Sequence, residues 1–442
     1  MTSPKVLSRI SAVLFGLVLS ACGSSSDSGT IIAPDGECSI PAQNQAVYNV
    51  MQQWYLWYEK LPTLDPTTFE SPQALLNALT DPVTDPVDRF SYITTQAEED
   101  ALFGDSQFIG FGFRQRTGED SVTVLDVFEG GPADQGGLDR GSLLLAIDGV
   151  PIGTVLSSEE GLSGALGPAE IGYEVEVTFR NQAGEEVVAT LVKDTVTIPP
   201  VTATQVLQVD GRQTGYLVFR NFVTPGVAAL DEAFAEFRAA GVTQVILDLR
   251  YNGGGLVRTL EHLANLLGSR AVGETGAVFA SYQYNDKNTN RNMDFLFALD
   301  PPPAAIDLDR LVVITTPATA SASEILINGM APWVETATVG RETFGKPVGQ
   351  LGFRFCEKVL RPVSFQTVNA LGEGDFFDGI QPTCPAPDDV AFGFGQAGEA
   401  SFDAAVHWLR FGFCQPMPDT FDLDRLAIGQ PGGAYELLHG AN

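Results

Sequence analysis

Histidine is nearly missing from this chain: there are three in 442 residues, His262, His407 and His439. That scarcity argues against a Ser-His-Asp triad. With no C-x-x-C pair either, the cysteine and histidine spacings do not resemble a zinc site, so no metal or cofactor is expected. Lysine is almost as rare, at Lys5, Lys60, Lys193, Lys287, Lys346 and Lys358. Basic residues total 25 against 55 acidic ones, a formal charge of −30. A surface of that sign repels phosphate backbones and anionic headgroups, so nucleic acid is not an expected partner; its plain use is solubility. The chain also lacks a G-x-S-x-G elbow and an S-x-x-K pair, which disfavours hydrolase-elbow and penicillin-binding readings.

What the N-terminus does have is a leader pattern. Lys5 and Arg9 precede an apolar run from Ile10 to Leu19, too short to span a bilayer and suited to a signal-peptide core. The run ends in Leu19-Ser20-Ala21-Cys22, which resembles a bacterial lipobox, the alternative being ordinary secretory cleavage. The expectation is a lipid on Cys22 after removal of residues 1–21, and a bacterial cell-envelope protein facing the periplasm or the exterior. Gly23 after the cysteine points to the outer membrane. Residues 22–37, rich in glycine and serine, read as a flexible tether. Four cysteines remain, Cys38, Cys356, Cys384 and Cys414. An even number outside the cytoplasm suggests two disulfides, with three possible pairings. The expected pairs are Cys356–Cys384 and Cys38–Cys414.

At 442 residues the chain suits two or three domains. Residues 38–105 read as a small helical region: a helix from Gln43 to Lys60 carrying Trp54, Tyr55, Trp57 and Tyr58, ended by Leu61-Pro62, then a short one from Ser71 to Leu79. Ser71-Pro72 offers that second helix an N-cap and a first-turn proline. The aromatics suit packing. Residues 106–195 change to short strands broken by glycines, and the stretch from Gly130 to Gly149 resembles a PDZ domain of the bacterial protease type, departing from it at Ser142 and Gly136. In such a groove, backbone N–H groups of a glycine-containing loop capture a terminal carboxylate and a strand edge pairs with the peptide. Phe108, Ile109, Gly110, Phe111, Gly112 and Phe113 would be that loop and edge; an internal sheet without a ligand is the alternative. Residues 196–415 alternate strand and helix, the mark of an α/β core, and residues 416–442 read as a loose proline- and glycine-rich tail.

Three segments of the core could carry chemistry. Asp248-Leu249-Arg250-Tyr251-Asn252-Gly253-Gly254-Gly255 follows a buried-looking strand. Its glycines allow backbone N–H groups to face an anion at a helix start, though a tight strand-to-helix turn explains them equally well. Small residues from Thr315 lead to Ser321-Ala322-Ser323-Glu324, where Ser321 would present a hydroxyl at a helix N-terminus; either serine could instead simply cap that helix. Lys346 lies in the glycine-flanked turn Gly340 to Gln350. If desolvated, its ammonium loses a proton easily and becomes a general base; otherwise it is an ordinary turn lysine.

Together these segments resemble the C-terminal processing, or tail-specific, serine peptidases, whose pattern is D-L-R-x-N-x-G-G, then S-A-S-E, then G-x-x-T-F-G-K with a glutamine four residues on. Gly253 stands where proline is frequent. The resemblance implies an α/β fold with a crotonase- or ClpP-like β/α peptidase core, an inserted PDZ-like domain and a small helical N-terminal region. It implies Ser321 as nucleophile, Lys346 as base and Gln350 as the residue orienting it. Ala322 with Gly254 or Gly255 would supply the oxyanion hole, Ser323 would be structural and Arg250 would support the loop. Polypeptides are the implied substrates, engaged by their C-terminal tails, with an adaptor protein as a possible partner. The rival is a catalytically silent PDZ and peptidase-fold scaffold that only holds peptide.

Overall fold

The computed structural model describes residues 30–31, 38–272 and 276–416. The leader, Cys22, nearly all of the tether and the tail beyond residue 416 lie outside the described residues. No helix of the described residues is long and apolar enough to cross a membrane.

The core is a six-stranded sheet in the order Val201–Val209, Arg212–Phe219, Gln244–Asp248, Arg310–Thr315, Glu335–Gly340 and Cys384–Pro385. The first pair is antiparallel and all the others are parallel. The central strands are continuous apolar runs because both faces are covered. Alternate residues divide between the two sides. Val245, Leu247, Leu311 and Val313 pack with the helices Thr224–Ala240, Val257–Val272 and Ala322–Met330. Ile246, Val312 and Ile314 face the helix Ala400–Phe411. The carboxyl ends of the parallel strands therefore open onto three neighbouring loops, where open α/β sheets bind ligands.

A second, antiparallel sheet runs Met293–Leu296, Val278–Tyr284, Val363–Val368, Val348–Gln350. A third joins Tyr92–Thr95 to the hairpin Phe353–Phe355 and Lys358–Arg361, with Thr30–Ile31 at its far edge. The helical N-terminal region packs on these strands, burying Val47, Met51, Tyr55 and Leu76 against Val348, Phe353 and Val363. Its aromatics are packing residues there, with Trp54 and Phe353 ring centroids 5.5 Å apart. The first helix is Ile40–Trp54 rather than Gln43 to Lys60, followed by a separate 3-10 turn, Tyr58–Lys60. Tertiary contacts end it: Tyr55 is fully buried in extended conformation, and the next N–H, that of Leu56, donates to Val363 O at 2.8 Å. The second helix, Pro72–Thr80, starts as expected, with Ser71 Oγ accepting from the Ala74 N–H at 3.1 Å.

Between the N-terminal region and the core sits an inserted module. Its main sheet runs Phe113–Thr117, Val122–Val127, Leu143–Ile147, Glu174–Arg180, Glu186–Val192, and the short strand Gln107–Gly110 pairs instead with Asp194–Thr197. Its core is its own, built from Phe111, Phe113, Val124, Leu144, Val177 and Phe179. Phe108 and Gly110 thus belong to a paired ribbon, and the edge of the main sheet begins only at Phe113.

The disulfides correct the expected pairing. Cys38 bonds Cys356 and Cys384 bonds Cys414, with Cα separations of 5.9 and 5.3 Å. Cys356 sits at the hairpin turn that packs on the N-terminal region, whereas Cys384 is on the last core strand, beside the helix whose end leads to Cys414. The expected Cys356–Cys384 pair would have to join the hairpin of the third sheet to the last strand of the core sheet.

Candidate active site

Each of the three chemistry-bearing segments leaves the carboxyl end of a parallel core strand, and a dense set of hydrogen bonds ties them together. Thr319 Oγ1 donates to Leu249 O at 2.9 Å, Ala320 N to Asn252 O at 3.0 Å and Phe344 N to Thr319 O at 2.9 Å. Ser323 Oγ donates to Asn252 O at 2.9 Å and is fully buried, so this hydroxyl is structural.

Ser321 occupies the N-cap of the helix Ala322–Met330 with φ 55° and ψ −115°. A left-handed backbone is costly for a residue with a Cβ and persists where surroundings over-determine it, as at active sites. Gly254 backs directly onto this serine: a Cβ at Gly254 would lie 2.8 Å from Ser321 Cβ and 2.9 Å from Ala322 N. Only glycine fits there. The Gly254 N–H itself is spent on Asn252 Oδ1, at 2.9 Å. The backbone bridge between Phe222 and Gly255 uses the Gly254 carbonyl and the Leu256 N–H, which leaves the Gly255 N–H outside it. Ala322 is the first residue of its helix, where an N–H has no intrahelical partner. Of the two candidate glycines, Gly255 is the one whose donor is not already committed.

Lys346 is held from both ends of its side chain. Its Nζ donates to Gln350 Oε1 at 2.6 Å. The Gln350 amide cannot turn over, because its Nε2 donates to Phe90 O at 2.6 Å and to Arg361 O at 2.8 Å. Phe90 also lays its ring 5.7 Å from the amine. The N-terminal region thereby forms one wall of the lysine's surroundings. Burial pulls the Lys346 ammonium down from its ordinary value of 10.5 to about 8; Asp88 and Glu324 oppose that fall and Arg361 adds to it. A lysine near 8 exchanges its proton close to neutral pH, as a general base requires.

Glu324 was recognised in the sequence as part of a motif but given no role. It is fully buried, and its carboxylate accepts four hydrogen bonds. They come from Ser321 N at 2.8 Å, Lys346 N at 2.8 Å, Gly345 N at 2.6 Å and Thr343 Oγ1 at 2.5 Å. One side chain thus pins the backbone of the serine to the backbone of the lysine. Burial pushes its carboxyl up, and the four donors oppose that. Its signal was an S-x-x-E pattern at a helix start, which reads as an ordinary cap.

Arg250 supports the glycine loop from beneath. Its Nε bonds Asp248 at 2.9 Å, and its two terminal nitrogens reach Glu399 and Asp388 at 2.8 to 3.1 Å. From the inserted module, Arg140 reaches Asp388 at 2.9 Å and Tyr251 Oη at 2.9 Å. The Tyr251 hydroxyl donates to Asp388, and Arg114 donates to Tyr251 O. Among the described histidines, His262 bonds Asp231 at 2.9 Å and His407 stacks on Phe411 and Phe413; neither bonds Ser321 or Lys346.

Residues 42–92 match the model of the peptidase S41 N-terminal domain and residues 213–385 that of peptidase family S41. The chain belongs to peptidase family S41, a family of serine peptidases. A carboxyl-terminal-processing protease of Synechocystis is 28% identical over 313 residues, 69% of this chain and 68% of that protein. A chloroplastic C-terminal processing peptidase of Tetradesmus obliquus is 30% identical over 241 residues, 51% of this chain and 48% of the relative, so the chain matches about half of that protein's length. The crystal structure of a chain assigned to the S41 proteases of Bacteroides fragilis superimposes with a TM-score of 0.65 at 24% identity, covering 82% of this chain and 96% of that one. That last likeness concerns the fold. The S41 peptidase fold and the S41 N-terminal domain are therefore features of this chain, and the matched ranges include every residue of the Ser321, Lys346 and Gln350 cluster.

Proposed function

We propose that this S41 peptidase is a lipid-anchored endopeptidase of the bacterial cell envelope that cuts polypeptides with a Ser–Lys pair. Lys346, as the neutral amine, takes the proton of Ser321 Oγ while that oxygen attacks the scissile carbonyl. The oxygen of the tetrahedral intermediate is met by the Ala322 and Gly255 N–H groups at the positive end of a helix. The Lys346 ammonium then protonates the leaving amine, and water, deprotonated by the same lysine, resolves the acyl-enzyme. Gln350 aims the amine, and Glu324 keeps the two loops in register. No metal or cofactor enters these steps.

The observation that carries this reading is the setting of the Lys346 amine: part-buried, lowered to about 8, and hydrogen-bonded to the neutral Gln350 amide oxygen rather than to a carboxylate. A lysine paired with a carboxylate would stay charged; this one is set to lose its proton.

The inserted module would engage substrate tails, with the Phe111 and Gly112 N–H groups facing a terminal carboxylate and the strand Phe113–Thr117 offering its edge to the peptide. The side chains of Phe108, Phe111 and Phe113 are buried, so recognition there falls to the backbone. Lipidation of Cys22 would hold the enzyme at the membrane, and an adaptor could bring substrates to it.

Purified protein lacking residues 1–22 is expected to degrade denatured casein. Ser321→Ala and Lys346→Ala should each lower that rate by more than about 1000-fold, as loss of either half of a nucleophile–base pair does. Undiminished proteolysis in either variant would overturn the Ser–Lys assignment.

A further inference from the structure

Asn221 follows the core strand Arg212–Phe219, one loop away from the glycine segment, and is 5% exposed. Its Nδ2 donates to Ser106 Oγ at 3.0 Å, and Ser106 Oγ donates its one proton to Ile198 O at 2.6 Å. A hydroxyl whose proton is spent can only accept, so the group facing it must be the amide nitrogen. The Asn221 oxygen is therefore turned the other way. That oxygen is buried and has no hydrogen-bond partner among the described residues. Buried acceptors are almost always satisfied, because desolvating one without a partner is costly.

The same asparagine lines a small cleft with Leu102, Phe103, Arg220, Val223, Gly253 and Gly254. Gly254 is the residue that backs onto Ser321, so cleft and nucleophile share a wall. Holding Ser106 in its left-handed conformation, φ 59°, needs only the Asn221 nitrogen. No group among the described residues uses the oxygen.

Resting on the Ser321 reading above, we infer that Asn221 is a substrate-binding residue. Its Oδ1 accepts the backbone N–H of the residue whose carbonyl Ser321 attacks. A peptide supplies one N–H per residue, the donor this orphan acceptor lacks. The N–H and carbonyl of one residue would then be held together, the first by Asn221 and the second by Ala322 and Gly255.

The test uses a synthetic peptide spanning one bond that the wild-type protein cuts in denatured casein, and its depsipeptide, in which that single N–H is an ester oxygen. Cleavage of the scissile bond is followed by mass spectrometry. Wild-type kcat/KM should favour the amide by about tenfold, and Asn221→Ala should shrink that preference to about twofold, the scale of one neutral hydrogen bond. An Asn221→Ala variant that slows both substrates equally would show a merely structural asparagine and overturn the inference. If that variant does not fold, the wild type alone decides: equal turnover of amide and ester overturns the inference, and tenfold discrimination supports it. A wild type that cuts no casein removes the peptidase reading itself, a result distinct from either.

Discussion

Asp248 ends the strand Gln244–Asp248, and Glu324 lies in the first turn of the helix that follows the next strand of the sheet. Both carboxylates are fully buried. Asp248 faces the Arg250 guanidinium, which also takes Glu399 and Asp388, while Arg140 brings a second guanidinium to Asp388. Burial pushes Asp388 up but is outweighed by Arg140 and Arg250, which hold it at about 2. Glu324 instead collects three backbone N–H groups and a hydroxyl, with no cation bonded to its oxygens. The first cluster is saturated with paired charge and fastens the glycine loop to the module and to the last helix. The second satisfies its acid with neutral donors. A guanidinium in that place would repel the Lys346 proton as strongly as Arg361 already does, or more, and a second carboxylate would trap it. Glu324 still raises the Lys346 value, but burial outweighs it, and the acid's hydrogen bond goes to the lysine's backbone N–H rather than to its amine.

Breaking the saturated cluster should have the largest effect. Arg250→Ala leaves Asp248 and Glu399 buried without their shared cation, at a cost of about 3–5 kcal/mol. Urea denaturation of the Ser321→Ala background should show a fall of that size, or no folded protein at all. A loss below about 1 kcal/mol would mean that the three acids are satisfied without Arg250. Glu324→Gln should cost less, about 1–3 kcal/mol, because the substituted amide has the same shape and still accepts, but brings an NH₂ up against N–H donors. Its activity should drop by more than its stability implies, since the Ser321 and Lys346 backbones lose a common anchor. If proteolysis in Glu324→Gln merely follows the folded fraction, the clamp is structural only.

The contrast also explains what could be read without coordinates. The centres of two runs, Val245 to Leu247 and Leu311 to Ile314, are legible as buried strands because burial on both faces leaves them no polar positions. Ser321, Lys346 and Gln350 were assigned as a set through the resemblance of their motifs to one peptidase family, though each alone has an ordinary explanation. Glu324 was not, because an acid three residues into a helix looks the same whether it caps one loop or joins two. The choice between Gly254 and Gly255 depended on where the Asn252 side chain points, and the end of the first helix on a hydrogen bond from Leu56 to a strand more than 300 residues later. The disulfide pairs depended on which part of the fold each cysteine lies beside. Asn221 carried no signal: its meaning comes from the one proton of Ser106.

The smallest effect, and the most diagnostic, concerns the acid that does border the lysine. Asp88 raises the Lys346 value against the burial that lowers it to about 8. Proteolysis should therefore climb as pH rises through about 8, since only the deprotonated amine can take the serine proton. Asp88→Asn removes an attraction that favours the ammonium, so the same climb should be centred at lower pH. The Asp88 side chain also accepts from Phe90 N at 2.9 Å and Ser91 N at 3.0 Å, and an asparagine oxygen preserves both bonds, which keeps the Phe90 carbonyl in place for Gln350. The other Asp88 oxygen accepts the Ser91 hydroxyl at 2.7 Å, a bond the substituted amide gives up, yet the plateau rate at high pH should stay within about threefold of wild type while the midpoint moves, the signature of a chiefly electrostatic change. A midpoint that stays where it was, measured on the same peptide substrate, would mean that some group other than Lys346 sets the pH dependence.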